Sequence, residues 1–74
     1  MSFLRQYTIY DHPRDFPDCF IAREWAIEAG TQRATGNVVT SDSLGALRGA
    51  MVRRGLINLG REPADDAVIV ESWI

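Results

Sequence analysis

"FIAREWAI", residues 20–27, is the stretch that decides the fold. Its alternate positions form two sets: Phe20, Ala22, Glu24 and Ala26, then Ile21, Arg23, Trp25 and Ile27. Successive side chains of a strand point to opposite faces, so this is the clearest strand of the chain, with large apolar groups on both sides.

Upstream, "FLRQYTIY" (3–10) holds Tyr7, Thr8, Ile9 and Tyr10, all strand-forming types. Downstream, "EAGTQRATGN" (28–37) carries two glycines and no apolar period, which predicts a loop. Val38, Val39 and Thr40 make a short extended piece at most. A helix is expected over 43–54. Ser43 or Asp42 suits its N-cap, and Leu44, Leu47 and Met51 form one apolar stripe. Arg53 and Arg54 sit in the last turn, where the helix dipole favours cations, and Gly55 suits the left-handed cap. Gly45 and Gly49 cost roughly 1 kcal/mol each relative to alanine, so packing must hold this helix. "LINLGREPADD" (56–66) reads as an irregular connection, and "AVIVESWI" (67–74) as a last strand. The expected architecture is α+β. It is a single β-β-α-β domain over 1–74, a three-stranded sheet with one helix packed on one face.

Composition narrows the function classes. The chain has 74 residues, 46% hydrophobic and 24% charged, which is globular and small. Ten acids face eight basic residues, and every basic residue is arginine. With no basic cluster beyond Arg53-Arg54, nucleic acid is not an expected partner, because phosphate neutralisation supplies most of that affinity. No run of apolar residues is long enough for a membrane span. "MSFLRQYTIY" lacks the apolar run of a signal peptide, and the single Cys19 precludes an internal disulfide. Both suggest a reducing, cytoplasmic home.

"YDHPRDFPD" (10–18) packs three acids, one histidine and two prolines into nine residues. Pro13 and Pro17 each suit the second position of a β-turn, over 12–15 and 16–19. Asp11, Asp15 and Asp18 suit Asx-turns, so the stretch reads mostly as a hinge. The chemical alternative is an acid-base site at His12 with Asp11 and Asp15. The spacing matches no calcium loop, and one Cys with one His cannot build a zinc site. No metal and no cofactor is expected. Cys19 reads as a small buried hydrophobe rather than a nucleophile. Glu24, Glu71 and Arg23 read as cross-strand partners rather than catalysts.

Together, "YTIYDHPRDFP", "FIAREW" and "DDAVIVESWI" resemble a group of short bacterial proteins. Those proteins share a Y-D-H-P turn, an R-E-W strand and a terminal V-I-V-E-x-W strand. The resemblance implies one compact domain and brings no activity or catalytic residues. Gly45 and Gly49 depart from it.

One helix covers one face of a sheet, yet both parities of every strand carry large apolar groups. Val68, Val70 and Ile74 form the more aliphatic side of the last strand and are expected to meet the helix. Tyr10, Ile69 and Trp73 are then expected on the other face, as a partner surface. Covering of that face by the loops at 28–42 and 56–66 is the alternative. The expected function is a non-catalytic interaction module, a homodimer or an assembly subunit. The alternative is a small enzyme or ligand binder centred on His12.

Overall fold

The computed structural model describes residues 4–74. Phe3, the first residue of the expected opening strand, lies outside them. The elements are β1 (Leu4–Asp11), β2 (Phe20–Glu28), β3 (Thr31–Ser41), α1 (Leu44–Arg53), β4 (Asn58–Gly60) and β5 (Ile69–Trp73). The α+β class holds, but the sheet has five strands rather than three. They run in the order β3-β2-β1-β5-β4, and every neighbouring pair is antiparallel.

The two additional strands come from segments expected to be irregular. Residues 28–37 do not form a loop. Glu28 pairs with Thr31, and the two residues between them, Ala29 and Gly30, have φ of 50° and 79°. Two left-handed residues give the tight reversal whose twist suits a hairpin. β3 then runs back along β2 as an edge strand. Most of its residues face solvent, so no apolar alternation marks it. In the 56–66 connection, Ile57 and Ile74 exchange backbone hydrogen bonds of 2.8 and 3.0 Å, and β4 extends from there. Both segments widen the sheet instead of folding over it.

α1 begins and ends as its sequence predicts. Ser43 Oγ accepts the Ala46 N–H at 3.2 Å. At the other end Gly55 has φ 76°. Its N–H bonds Val52 O at 2.9 Å, and the Leu56 N–H bonds Met51 O at 3.2 Å. These are the two closing bonds of a Schellman cap. Leu47, Ala50 and Met51 are buried, and they form the core with Tyr7, Ile9, Ala22 and Trp73.

Trp73 therefore corrects the expected face assignment. It is 5% exposed and belongs to the core on the helix side. The reason is a register shift between β1 and β5. Tyr7 pairs with Trp73 and Ile9 with Glu71, but Tyr10 pairs with Ile69. Val70 is the extra residue, a β-bulge that breaks simple alternation. Glu71 and Trp73 thus share the helix side with Ile9 and Tyr7, while Ile69 lies beside Tyr10 on the helix-free side.

Candidate functional site

Three groups of side chains are chemically distinctive. The first is the connection between β1 and β2. His12 has φ 49°, and its N–H bonds Cys19 O at 3.1 Å, which closes the excursion. The Phe16 N–H bonds Pro13 O at 3.0 Å, so the first turn spans 13–16 rather than the expected 12–15. The left-handed His12 has already reversed the chain, which moves Pro13 to the first position of that turn. His12 Nδ1 lies 2.5 Å from Asp11 Oδ1, and its ring meets Phe20 edge-on at 5.0 Å. Asp15 is not brought to His12. Its carboxylate accepts from Arg23 Nη2 at 2.6 Å, and that bond holds the carboxyl below its ordinary range. Arg23 also stands over the Tyr10 ring at 5.5 Å. Arg23, Asp15 and Tyr10 thus gather on the helix-free face near Ile21, which is fully buried. Among the described residues, no three His, Cys, Asp or Glu side chains converge as a metal site.

The second group is a pair of buried carboxylates on the helix side, Glu24 and Glu71, 5% and 4% exposed. Glu24 stands opposite a wide bulge in β3. Arg23 pairs with Val38 and Trp25 with Ala34, so Thr35, Gly36 and Asn37 all face one residue of β2. Gly36 adopts φ 90°, which the bulge requires and glycine permits. Thr35 Oγ1 and Asn37 Nδ2 donate to Glu24 Oε1 at 2.8 and 3.0 Å, and Tyr7 donates its hydroxyl to Oε2 at 2.5 Å. Arg5 Nε is 3.7 Å from the same oxygen. The Tyr7 bond, with the other donors, holds Glu24 below the ordinary 4.5. Burial, then Glu24, pushes the Tyr7 phenol up. Thr35 and Asn37 escape sequence reading because a bulge has no local signature beyond its glycine.

Glu71 accepts both Arg48 Nε and Nη2, at 2.9 and 2.7 Å, and the Trp73 indole N–H at 2.8 Å. Arg48, with that indole, holds it below its ordinary value. Its partner is on α1, not across the sheet. Both carboxylates are buried, and each is held by three hydrogen-bond donors that engage both of its oxygens. Both pKa values are lowered, so neither titrates near neutral pH. They hold strands and helix together.

Acid sensitivity follows. Each carboxyl has a lower pKa folded than unfolded, so its stabilisation is complete above the ordinary value of 4.5. It is lost as pH falls through the folded values. The thermal midpoint is expected to be level from about pH 7 to about pH 5 and to drop below that. Glu24→Gln should blunt the drop. A midpoint unchanged down to about pH 3 would contradict the assignment.

The third group is the helix-free face. Tyr10 and Ile69 are there as expected and are half-buried, Tyr10 beneath Arg23. Trp73 is absent from it. A larger apolar set, exposed at Leu4 and Ile57 and half-buried at Trp25, Ile27 and Ile74, lies at the opposite end of the strands. Ile27 pairs with Leu4, and Trp25 with Gln6, on the side away from Tyr7 and Ala22. Ile74 follows Trp73 by one residue on that same side and pairs with Ile57. Leu4 is 58% and Ile57 69% exposed. Trp25 and Ile27 were visible as one parity of β2. Register alone shows that they join Leu4, Ile57 and Ile74.

Among the described residues, no helix is long and apolar enough to cross a membrane. Neither protein families, nor curated proteins, nor solved structures offer a match to this chain.

Proposed function

We propose that this chain is a non-catalytic interaction module, an assembly subunit that pairs with a second copy of itself through the helix-free face. The observation that carries the proposal is the contiguous set Leu4, Gln6, Trp25, Ile27, Ile57 and Ile74, apolar but for one amide and free of charge. Exposed apolar sets of this kind mark contact surfaces. A second copy suits it because a set without charged side chains meets no like charge when turned on itself by a two-fold axis. Two such sheets stack ~10 Å apart, with their helices outward. The burial of Glu24 and Glu71 and their engagement by structural donors support a non-catalytic role. The lone Cys19 suits a reducing compartment such as the cytoplasm, and the dispersed arginines argue against nucleic acid as partner.

An acid-base or ligand-binding function centred on His12 is favoured only by its contact with Asp11. Asp15, which would have completed that group, is held by Arg23.

Sedimentation equilibrium tests the dimer. A dissociation constant of about 10 μM or tighter is expected. Ile57→Arg should give a monomer with an unchanged circular dichroism spectrum, because this side chain is exposed in the single chain. A wild type that stays monomeric at about 1 mM sinks the proposal.

A further inference from the structure

The helix-free face is not open along its whole length. Ile21 shares that side of β2 with Arg23, Trp25 and Ile27. Yet it is 0% exposed, and it stands apart from the core cluster beneath α1. The connection 12–19 accounts for this. His12, at φ 49°, turns the chain, and its N–H bond to Cys19 O closes the base of the excursion. Within it Pro13 is buried and Phe16 half-buried. Asp15 meets Arg23 at 2.6 Å, and Arg23 stands over Tyr10, the cross-strand partner of Ile21. The connection is therefore a strap folded back over the Ile21 end of the face. The other end, at Leu4, Trp25 and Ile27, stays open.

The strap limits how two copies can meet. Stacked sheets lie ~10 Å apart with only side chains between them. A layer of backbone above Ile21 leaves no room for a second sheet at that end. Contact there would also take the exposed Arg14, Asp15 and Asp18 out of water, and charged groups are disfavoured at the centre of an interface. A two-fold axis relating two stacked faces lies in the plane between them. Directed along the strands, it sets strap against strap. Directed across the strands near Trp25 and Ile27, it lays the open ends together and carries the straps apart.

We propose that the 12–19 strap is a docking stop. Two copies overlap only through the open end of the helix-free face, their β2 strands run in opposite directions, and their straps lie at opposite ends of the pair. This arrangement rests on the dimer reading above. A strand rises ~3.3 Å per residue, so Ile21 lies about 17 Å along β2 from Ala26, in the middle of the open stretch. The axis doubles that to about 33 Å between straps, whereas straps set face to face would be less than about 20 Å apart.

Double electron–electron resonance reads this distance, with a nitroxide on Arg14→Cys in a Cys19→Ser background. A separation of about 30 Å or more is expected, and one below about 20 Å overturns the stop. Isotope-filtered NOE spectra of mixed labelled and unlabelled wild-type protein give a second reading without any substitution. Contacts between copies are expected at Leu4, Ile27 and Ile57 and none at Phe16. Contacts across the pair from Phe16 overturn the stop, even if the labelled variant folds poorly. Sedimentation separates the two failures. A wild type that stays monomeric removes the dimer and the stop together, while a dimer with close straps removes the stop alone.

Discussion

Trp73→Ala is expected to remove about 3–5 kcal/mol, a large share of the chain's stability. The indole is 5% exposed and packs in the cluster with Tyr7, Leu47, Ala50 and Met51. Truncating a buried aromatic costs about 3–5 kcal/mol, because transfer energy is lost and a cavity remains. At ~0.05–0.15 kcal/mol per residue, a chain of this length has roughly 4–11 kcal/mol in total. The substitution also removes the indole N–H from Glu71. Urea unfolding followed by circular dichroism measures the effect. An Ile57→Arg background keeps self-association out of the result. A loss below about 0.5 kcal/mol would mean that β5 does not present Trp73 to α1. That small loss is what an interface anchor would show, so the experiment separates the two placements of this residue.

Glu71→Ala is the second large effect, at about 2–4 kcal/mol. It strands the buried indole N–H of Trp73 and removes both acceptors of Arg48. Arg48 is half exposed and can turn to water, so most of the cost falls on the Trp73 donor and the vacated space. Glu71→Gln keeps the shape and one acceptor oxygen, so about 1–2 kcal/mol is expected. The pH dependence identifies the charge. Because the Glu71 pKa is lowered in the folded state, the advantage of wild type over Glu71→Gln is full above 4.5 and shrinks as the carboxylate takes up its proton. Chemical denaturation at several pH values gives both quantities. A gap that is constant with pH would show that the charge does not stabilise the fold.

The elements legible in the sequence are those whose signal is local. β2 shows itself in its two-residue alternation, and β1 in its tyrosine, threonine and isoleucine. α1 is bounded by Ser43 and Gly55, because a cap is satisfied by atoms a few residues away. The interior glycines do not prevent it, since Leu47, Ala50 and Met51 anchor it to the sheet. The α+β class follows from these elements alone.

Tertiary structure decided the rest. β3 and β4 are edge strands whose order comes from the neighbour's open hydrogen bonds, so their own residues need no apolar period. The hairpin at Ala29-Gly30 lacks the usual asparagine or aspartate, and the bulge at 35–37 shows only Gly36. Most consequential is Val70. Alternation within β5 places Ile69, Glu71 and Trp73 together, and one extra residue opposite β1 separates Ile69 from the other two. The face that a strand residue takes is set by its hydrogen-bond register with its neighbour, and a bulge shifts that register without altering the pattern of the strand itself. For that reason Trp73 is core, and the apolar set of the helix-free face is Leu4, Trp25, Ile27, Ile57 and Ile74, exposed at Leu4 and Ile57.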